Sequence, residues 1–357
     1  MSSIFRVALT GDFLDESGQP GYGDLGLPLW ADMPSIRYHF LRDQAPRDDA
    51  AYWRNFYSME VESRHISDVD GLVVLRPWVK RTTFAEGAET LVVIGRSGAG
   101  YDKIDVEACT ENDVALFNAP HGLHHATASS ALLFMLALAK RLPEQERVAR
   151  TGDWRQQPRI MGGELLGRTL GIVGLGNSGR ELARLVAPFE MTVLAYSEHT
   201  EPSQAAELGV RLVPLDELLR SADVVSLHSR LTPASRGMIG AAQLALLKPT
   251  AFFVNVARGE LVDQAALVTL LRERRIAGAA LDVFEHEPLP ADDPLTSLDN
   301  VILTPHWNAS TSDVWRATGR AMALGILRAA RGELPENIVN RDVLGRQGFI
   351  DKLKRFA

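Results

Sequence analysis

The chain has 357 residues, a hydrophobic fraction of 46% and a formal net charge of −7 at pH 7. This length favours two domains, and the apolar fraction is sufficient to fill two cores. The net negative charge argues against a basic surface that binds nucleic acid. No apolar run approaches the length needed to span a bilayer. Cys109 is the single cysteine, which excludes an intrachain disulfide and a thiolate metal cage. The N-terminal residues lack a signal-peptide pattern, so we expect a cytoplasmic protein.

The first third of the chain alternates short apolar runs with polar segments, which predicts a small parallel sheet. The predicted strands are 5–10, 71–75, 91–95 and 114–118. The stretch 15–47 is rich in glycine, proline and charge, and it is interpreted mostly as loop with a helix near 34–42.

Two long helices are predicted, at 126–140 and at 312–331, and the second ends at Gly332. Strands are predicted between them at 170–173, 192–196, 210–213, 224–227, 252–256, 278–283 and 301–304, with a helix at 264–275. This alternation implies a doubly wound parallel sheet with ligands at the carboxyl ends of its strands. The residues from 337 onward are interpreted as an irregular return strand or tail.

A glycine-rich turn joins the strand 170–173 to a helical run at 180–189. In Gly174-Leu175-Gly176-Asn177-Ser178-Gly179, the first glycine permits a tight turn. The second glycine lets the backbone approach a pyrophosphate, and the third lets helix and strand pack closely. The helix start, with Asn177 and Ser178, offers N–H groups and a positive dipole end to the phosphates. A plain tight turn is the alternative, but the strand–turn–helix context favours a dinucleotide site.

Three side chains follow successive late strands, and together they suit hydride transfer to a 2-oxo acid. Arg258 can grip a carboxylate through two parallel hydrogen bonds. His306 can protonate the carbonyl oxygen, and a carboxylate such as Glu287 favours the charged imidazole. Taken singly, each has an ordinary alternative: a surface arginine, a solvated loop carboxylate and a structural histidine. Their joint position downstream of a nucleotide turn favours function.

Over residues 71–340 the chain closely resembles the D-isomer-specific 2-hydroxyacid dehydrogenase family. The resemblance is carried by the segments 95–105, 174–179, 231–233, 255–259, 280–288 and 304–306. It implies an oxidoreductase acting on the D-isomer of a small 2-hydroxy acid, with Arg258, Glu287 and His306 as the catalytic set and no metal. It also implies that backbone N–H groups of Ala99 and Gly100 bind the substrate carboxylate.

The resemblance further implies the architecture and the cofactor contacts. A Rossmann domain, residues 119–305, is inserted into a smaller flavodoxin-like substrate domain made of 1–118 and 306–357, and such enzymes are commonly homodimers through the cofactor domain. Asp282 is expected to hold the cofactor's carboxamide, and Val256 and Ala257 are expected to lie beside the cofactor.

Three departures from the family pattern are informative. Ser197 replaces the acidic residue that usually ends the second Rossmann strand in NAD-dependent members, and Glu198 follows it. No lysine or arginine follows in the sequence to attract a 2′-phosphate, so we expect NAD, with NADP as the alternative. The segment 127–130 lacks the family's usual polar pattern. Trp307 and Asn308 follow His306 in place of small residues, which predicts a differently shaped nicotinamide end.

Two local features bear on ligands other than the cofactor. Arg76 and Trp78 follow the strand 71–75, and an arginine resembling Arg76 binds substrate in relatives acting on phosphorylated acids; the alternative is a solvated loop arginine. This hints at a substrate that is larger or more anionic than glyoxylate, but the sequence leaves its side chain open. His121, His124 and His125 lie close together, yet no carboxylate or thiolate accompanies them in sequence, so no metal site is expected.

A function of another class stays open at this point. Transcriptional corepressors of the C-terminal-binding type resemble the same family and keep the three catalytic positions. The chain could therefore be an NAD(H)-sensing interaction protein, although no basic patch or long disordered extension favours that alternative.

Overall fold

The computed structural model describes residues 4–31, 33–120 and 122–357. The chain forms two compact units. The discontinuous unit comprises Met1–Leu123 and Ser310–Ala357, and the central unit comprises His124–Ala309. These limits lie a few residues beyond the expected boundaries at 118 and 305.

The strands in the described ranges are β1 (Phe5–Leu9), β2 (Ile36–Phe40), β3 (Gly71–Val74), β4 (Val93–Arg96), β5 (Ala115–Asn118), β6 (Thr169–Val173), β7 (Thr192–Tyr196), β8 (Val210–Leu212), β9 (Val224–Leu227), β10 (Phe252–Asn255), β11 (Gly278–Leu281) and β12 (Val301–Leu303). The helices there are α1 (Pro28–Ala31), α2 (Ala50–Asn55), α3 (Val106–Glu111), α4 (His124–Ala139), α5 (Leu142–Thr151), α6 (Asn177–Val186), α7 (Pro202–Ala206), α8 (Leu215–Ser221), α9 (Ala241–Leu244), α10 (Gln264–Arg272), α11 (Ser312–Ala329) and α12 (Gln347–Lys354).

The discontinuous unit contains a parallel sheet of strand order β2-β1-β3-β4-β5, which is the flavodoxin-like order. Successive side chains of β1 face opposite sides of this sheet, so Phe5, Val7 and Leu9 join one core and Ala8 joins the other. The first core also takes Met322 of α11, because that helix covers the same face.

Two sequence interpretations in this unit are wrong. The expected helix near 34–42 is strand β2, because its β-branched and aromatic residues pair in parallel with β1 at the sheet edge. The expected irregular return strand or tail pairs at one antiparallel bridge, between Ile338 and Phe117, but its later part is the helix α12. In α12, Phe349 and Leu353 lie four residues apart and bury the same helix face in the core. Both errors arise because tertiary pairing and packing outweigh weak local signals.

The central unit is a doubly wound parallel sheet of strand order β12-β11-β10-β9-β6-β7-β8. Relative to the first strand of the unit this is the Rossmann order, so the predicted fold class is confirmed. Separate apolar cores cover the two sheet faces: Leu170 and Ile172 of β6 belong to one, and Val173 belongs to the other. Every strand predicted in this region is present, with ends shifted by a residue or two. In the described part of the chain, no helix combines the length and apolarity that a membrane crossing requires.

Candidate active site

The glycine turn that joins β6 to α6 has the geometry of a dinucleotide-binding loop. Gly174 adopts φ +99°, and a Cβ there would lie 2.6 Å from the backbone nitrogen of Ser229. A Cβ on Gly179 would lie 2.3 Å from the carbonyl oxygen of Gly174, so this glycine lets α6 approach the strand. Both glycines are therefore required by the chain's own packing.

Gly176 is different, because nothing in the structure requires a glycine there. A Cβ on Gly176 would meet no atom within 4 Å, and its φ of −78° suits any residue. Gly176 is the N-cap of α6 and has no side chain with which to cap the helix. The space beside the helix N-terminus therefore fits the close approach of an anionic group such as a pyrophosphate.

Ser178, in the first turn of α6, is held by a histidine that sequence analysis did not single out. His228 follows β9, and its Nδ1 lies 3.0 Å from Ser178 Oγ while its Nε2 lies 2.9 Å from Ser226 Oγ. Burial lowers the pKa of His228 to about 4, so the ring is neutral near pH 7. A neutral imidazole between two hydroxyls fixes the Ser178 side chain at the start of the helix. The signal that could have identified it is its place directly after an apolar strand.

The loop after β7 folds back onto the glycine turn. Ser197 Oγ lies 2.8 Å from Thr200 Oγ1, and Thr200 Oγ1 donates to the carbonyl of Leu175 at 3.4 Å. Tyr196 OH donates to Glu198 Oε1 at 2.6 Å, and this hydrogen bond raises the pKa of Tyr196. The structure therefore places the residues after β7 next to the glycine turn, and Glu198 in this segment is exposed to solvent.

Arg258 lies in a turn that buried Asn255 organises at the end of β10. Asn255 Nδ2 donates to the Arg258 carbonyl at 2.9 Å, and its Oδ1 accepts from the Ala257 N–H at 3.0 Å. A Cβ on Gly259 would lie 1.9 Å from the carbonyl carbon of Phe284. Glycine is therefore needed where this turn meets the loop after β11. That contact brings the Arg258 turn beside the loop that carries Glu287.

Asp282, directly after β11, is buried and anchors the loop that follows β12. Its Oδ1 accepts hydrogen bonds from Thr304 Oγ1 at 2.5 Å, from Trp307 N at 3.0 Å and from Asn308 N at 3.1 Å. Burial raises the pKa of Asp282, and these hydrogen bonds oppose that shift. Within the described residues, the buried Nδ2 of Asn308 has no hydrogen-bond partner. An acceptor and a donor therefore lie close together, which is the complement of a carboxamide.

Glu287 and His306 form a hydrogen-bonded pair at this edge of the sheet. His306 Nδ1 lies 2.8 Å from Glu287 Oε2, and Glu287 Oε1 accepts from the Phe284 N–H at 3.1 Å. Burial raises the pKa of Glu287, whereas the hydrogen bond and the charge of His306 lower it, with a smaller contribution from the charge of Arg258. The net effect is a pKa of Glu287 below its usual value. The pair can hold a protonated imidazole next to a carboxylate, with a guanidinium close by.

In the discontinuous unit, the loop after β4 is fixed at the carboxyl edge of the sheet. Asn118 Nδ2 donates to the Ala99 carbonyl at 2.7 Å, and Ala119 N donates to the Gly98 carbonyl at 3.0 Å. Gly98 has φ +142°, which favours glycine. Among the described residues, the N–H groups of Ala99 and Gly100 donate no hydrogen bond, so they suit an anion.

Arg76 is not a solvated loop residue. Its side chain is 11% exposed, and its guanidinium lies against Asp12 and the ring of Phe56.

The three histidines that lie close together in sequence form no metal site among the described residues. His121 lies outside those residues, and His125 pairs with Glu181 at 2.8 Å. Across the described ranges, no group of three or more His, Cys, Asp or Glu side chains could hold a metal ion.

Comparisons with known proteins determine the family. The family model for the NAD-binding domain of D-isomer-specific 2-hydroxyacid dehydrogenases matches residues 132–308. A glyoxylate reductase of Korarchaeum cryptofilum is 40% identical over 290 residues, which cover 80% of this chain and 87% of that protein. The chain belongs to the D-isomer-specific 2-hydroxyacid dehydrogenase family.

One further relative and one solved structure match most of this chain. A D-3-phosphoglycerate dehydrogenase of Methanocaldococcus jannaschii is 44% identical over 276 residues, covering 77% of this chain and 52% of that protein. The chain thus spans about half the length of that relative. The crystal structure of the TT0316 protein from Thermus thermophilus superposes with a TM-score of 0.79 at 29% identity, covering 94% of this chain and 100% of the other.

Several residues predicted for a dehydrogenase site therefore lie together in the central unit. The structure brings Arg258, Glu287 and His306 to the carboxyl ends of β10, β11 and β12. Asp282 accepts a hydrogen bond from the backbone N–H of Trp307, which directly follows His306. Ala99, Gly100 and Arg76 lie at the corresponding edge of the sheet in the discontinuous unit.

Proposed function

We propose that this dehydrogenase-family chain is an NAD(H)-dependent oxidoreductase that interconverts a D-2-hydroxy acid and the matching 2-oxo acid. The observation that carries the proposal is the hydrogen bond of 2.8 Å between His306 Nδ1 and Glu287 Oε2, on the strand edge that also carries Arg258. An acid, its carboxylate partner and a cation are the groups that reduction of a 2-oxo acid requires. The names of the relatives, glyoxylate reductase and D-3-phosphoglycerate dehydrogenase, support this reaction class.

Arg258 is the proposed anchor for the substrate's carboxylate. Its planar guanidinium can donate two parallel hydrogen bonds and can polarise the neighbouring carbonyl. The two hydrogen bonds that the Asn255 side chain makes to the turn fix the backbone from which the Arg258 side chain extends. In the discontinuous unit, the N–H groups of Ala99 and Gly100 are proposed as further donors to a carboxylate.

His306 is the proposed acid and base. During reduction its protonated ring donates from Nε2 to the carbonyl oxygen, while Nδ1 donates to Glu287. During oxidation the neutral ring accepts the hydroxyl proton. Glu287 keeps the ring oriented and favours its charged form. The nicotinamide, when bound, supplies or accepts the hydride that is exchanged with C2 of the substrate.

The cofactor contacts are proposed from the local geometry. The glycine turn with Asn177 and Ser178 would take the pyrophosphate, Ser197 and Glu198 would lie near the adenosine ribose, and Val256 and Ala257 would line the site. Asp282 would accept from the carboxamide. NAD is favoured over NADP because the charge of Glu198 opposes a 2′-phosphate.

The remaining parts of the proposal concern substrate and assembly. The substrate is a small molecule, the D configuration comes from the family, and a homodimer is the expected assembly. The glyoxylate reductase and the D-3-phosphoglycerate dehydrogenase are both named as enzymes, so the comparisons lend no support to an NAD(H)-sensing interaction protein.

The test is reduction of a panel of 2-oxo acids by NADH, with His306→Ala beside wild type. His306→Ala is expected to lose at least about two decades in kcat, the usual scale of general acid–base catalysis. His39→Ala, at an exposed position on β2, is the matched control and should retain activity. Near-normal turnover by His306→Ala removes it from the mechanism. Tight NADH binding with no turnover of any 2-oxo acid contradicts the proposed function.

A further inference from the structure

Asp12 and Arg76 lie side by side at the carboxyl edge of the sheet in the discontinuous unit. Strands β1 and β3 are paired with Leu9 opposite Val73, so the segments that follow them emerge together. The loop that carries Ala99 follows the next strand, since Val74 pairs with Arg96 and the Ser97 N–H donates to the Val74 carbonyl at 2.8 Å. In an open parallel sheet, ligands bind at this edge.

Asp12 and Arg76 form an ion pair inside the protein. Asp12 Oδ2 accepts from the Arg76 backbone N–H at 3.1 Å and lies 3.4 Å from its Nη1, and the Asp12 side chain is 0% exposed. Within the described residues, the buried Oδ1 of Asp12 has no hydrogen-bond partner. Burial raises the pKa of Asp12, and the charge of Arg76 opposes this shift. Both contacts of Asp12 with Arg76 are therefore made through Oδ2, which accepts from the backbone N–H and from the guanidinium.

Aromatic rings surround the guanidinium of Arg76. Its Cζ lies 4.8 Å from the ring centroid of Phe56, 5.4 Å from that of Tyr22 and 5.8 Å from that of Tyr57. Nη1 also donates to Tyr22 OH at 3.3 Å. These rings exclude water, so the field of Arg76 depends strongly on whether Asp12 balances it. A second cation near Tyr57, Lys103, is partly exposed and therefore more strongly screened.

We infer that Asp12 is a charge-selectivity residue for the substrate. By balancing Arg76 at the ligand-binding edge, it makes this enzyme favour 2-oxo acids whose side chain is uncharged over those that carry a second negative group. The sequence hinted at a substrate that is larger or more anionic than glyoxylate, and it gave no sign of the ion pair because Asp12 is distant from Arg76 along the chain. The inference rests on the proposed function and assigns the substrate class of that same reaction.

The first test uses wild-type protein and a matched pair of substrates. Hydroxypyruvate and its phosphate ester differ only in the phosphate, and glyoxylate and oxaloacetate provide a second comparison between uncharged and charged side chains. With NADH in excess, kcat/KM is expected to be at least about tenfold higher for the uncharged member of each pair. A higher value for the phosphorylated or dicarboxylic member overturns the inference.

The second test changes the charge balance. Asp12→Asn keeps the shape and removes the negative charge, so the ratio of kcat/KM for the phosphate ester over hydroxypyruvate is expected to rise on the order of tenfold. Arg76→Gln should lower that ratio. Asp12→Asn with Arg76→Gln restores neutrality and should return the ratio towards wild type. Asp68→Asn, an exposed partner of Arg6 at the opposite edge, is the matched control and should not change the ratio.

The outcomes separate this inference from the proposed function. If no 2-oxo acid is reduced by wild type, the proposed function fails. If 2-oxo acids are reduced but Asp12→Asn leaves the ratio unchanged while thermal melting shows a folded protein, the inference alone fails. If Asp12→Asn does not fold, the inference is still decided by the ratio of kcat/KM between charged and uncharged substrates in wild type and in Arg76→Gln.

Discussion

Alanine at two neighbouring glycines should separate cofactor binding from folding. Gly174 and Gly176 lie in the same turn, but only Gly174 has a positive φ, +99°, and neighbours that a Cβ would overlap. Gly176 has φ −78° and ψ −161°, and a Cβ there would have open space around it. Gly176→Ala should therefore fold normally and bind NADH poorly, whereas Gly174→Ala should be destabilised.

The magnitudes follow from these geometries. Alanine at Gly176 changes stability by less than about 1 kcal/mol, and the entropy of the unfolded chain favours alanine. Alanine at Gly174 costs about 1–3 kcal/mol for its backbone conformation alone, before the overlap with Ser229 is counted. In a unit of this size, each kcal/mol lowers Tm by about 2–4 °C. A methyl group in the space left for a pyrophosphate should weaken NADH binding at least tenfold, or about 1.4 kcal/mol.

The assay pairs thermal melting with a titration of NADH followed by calorimetry or nicotinamide fluorescence. The expected result is wild-type Tm with weakened binding for Gly176→Ala, and a lowered Tm for Gly174→Ala. The reasoning is refuted if folded Gly176→Ala binds NADH within about twofold of wild type. The turn would then be only a tight connection between β6 and α6.

Two further predictions concern the acid and the cofactor preference. Glu287→Gln removes the carboxylate that is hydrogen-bonded to the His306 ring, so the kcat profile for reduction should move to lower pH, as measured across a pH series; an unchanged profile contradicts a role for Glu287. Ser197→Asp adds an acceptor for ribose hydroxyls and a charge that repels a 2′-phosphate, so the ratio of kcat/KM for NADH over NADPH should rise by about tenfold. A wild-type preference for NADPH above about tenfold would overturn the choice of NAD.

The sheet of the central unit could be predicted because its inner strands, such as β9 and β11, are buried on both faces. Segments such as Gly278–Leu281 are continuous apolar runs, which a parallel sheet covered by helices requires. Strand β2 was missed because it lies at a sheet edge and exposes Arg37, Tyr38 and His39. Its identity depends on pairing with β1, about thirty residues earlier in the chain. The α12 helix was missed for a related reason, since its short apolar face has meaning only against the core.

The site was predictable to the extent that chemistry follows strand ends. The sequence places Arg258 and His306 immediately after strands, and parallel strands carry their carboxyl ends to one edge. Partnerships across the sheet could not be predicted in this way. Asp12 and His228 each act through residues far away in sequence, Arg76 and Ser178 respectively. Charge balance and side-chain orientation therefore emerge only from the fold.

The turn that carries His306 shows why strand position alone is insufficient. His306 adopts φ +53°, a left-handed conformation that costs an ordinary residue on the order of 1 kcal/mol. The two N–H groups that follow it, those of Trp307 and Asn308, donate to a single oxygen of Asp282. An asparagine at position 282 could accept the same two bonds, but its second group would be a donor. A carboxylate instead keeps an acceptor on Oδ2. One buried side chain can therefore fix the strained turn of the proposed acid and still offer an acceptor to the proposed carboxamide.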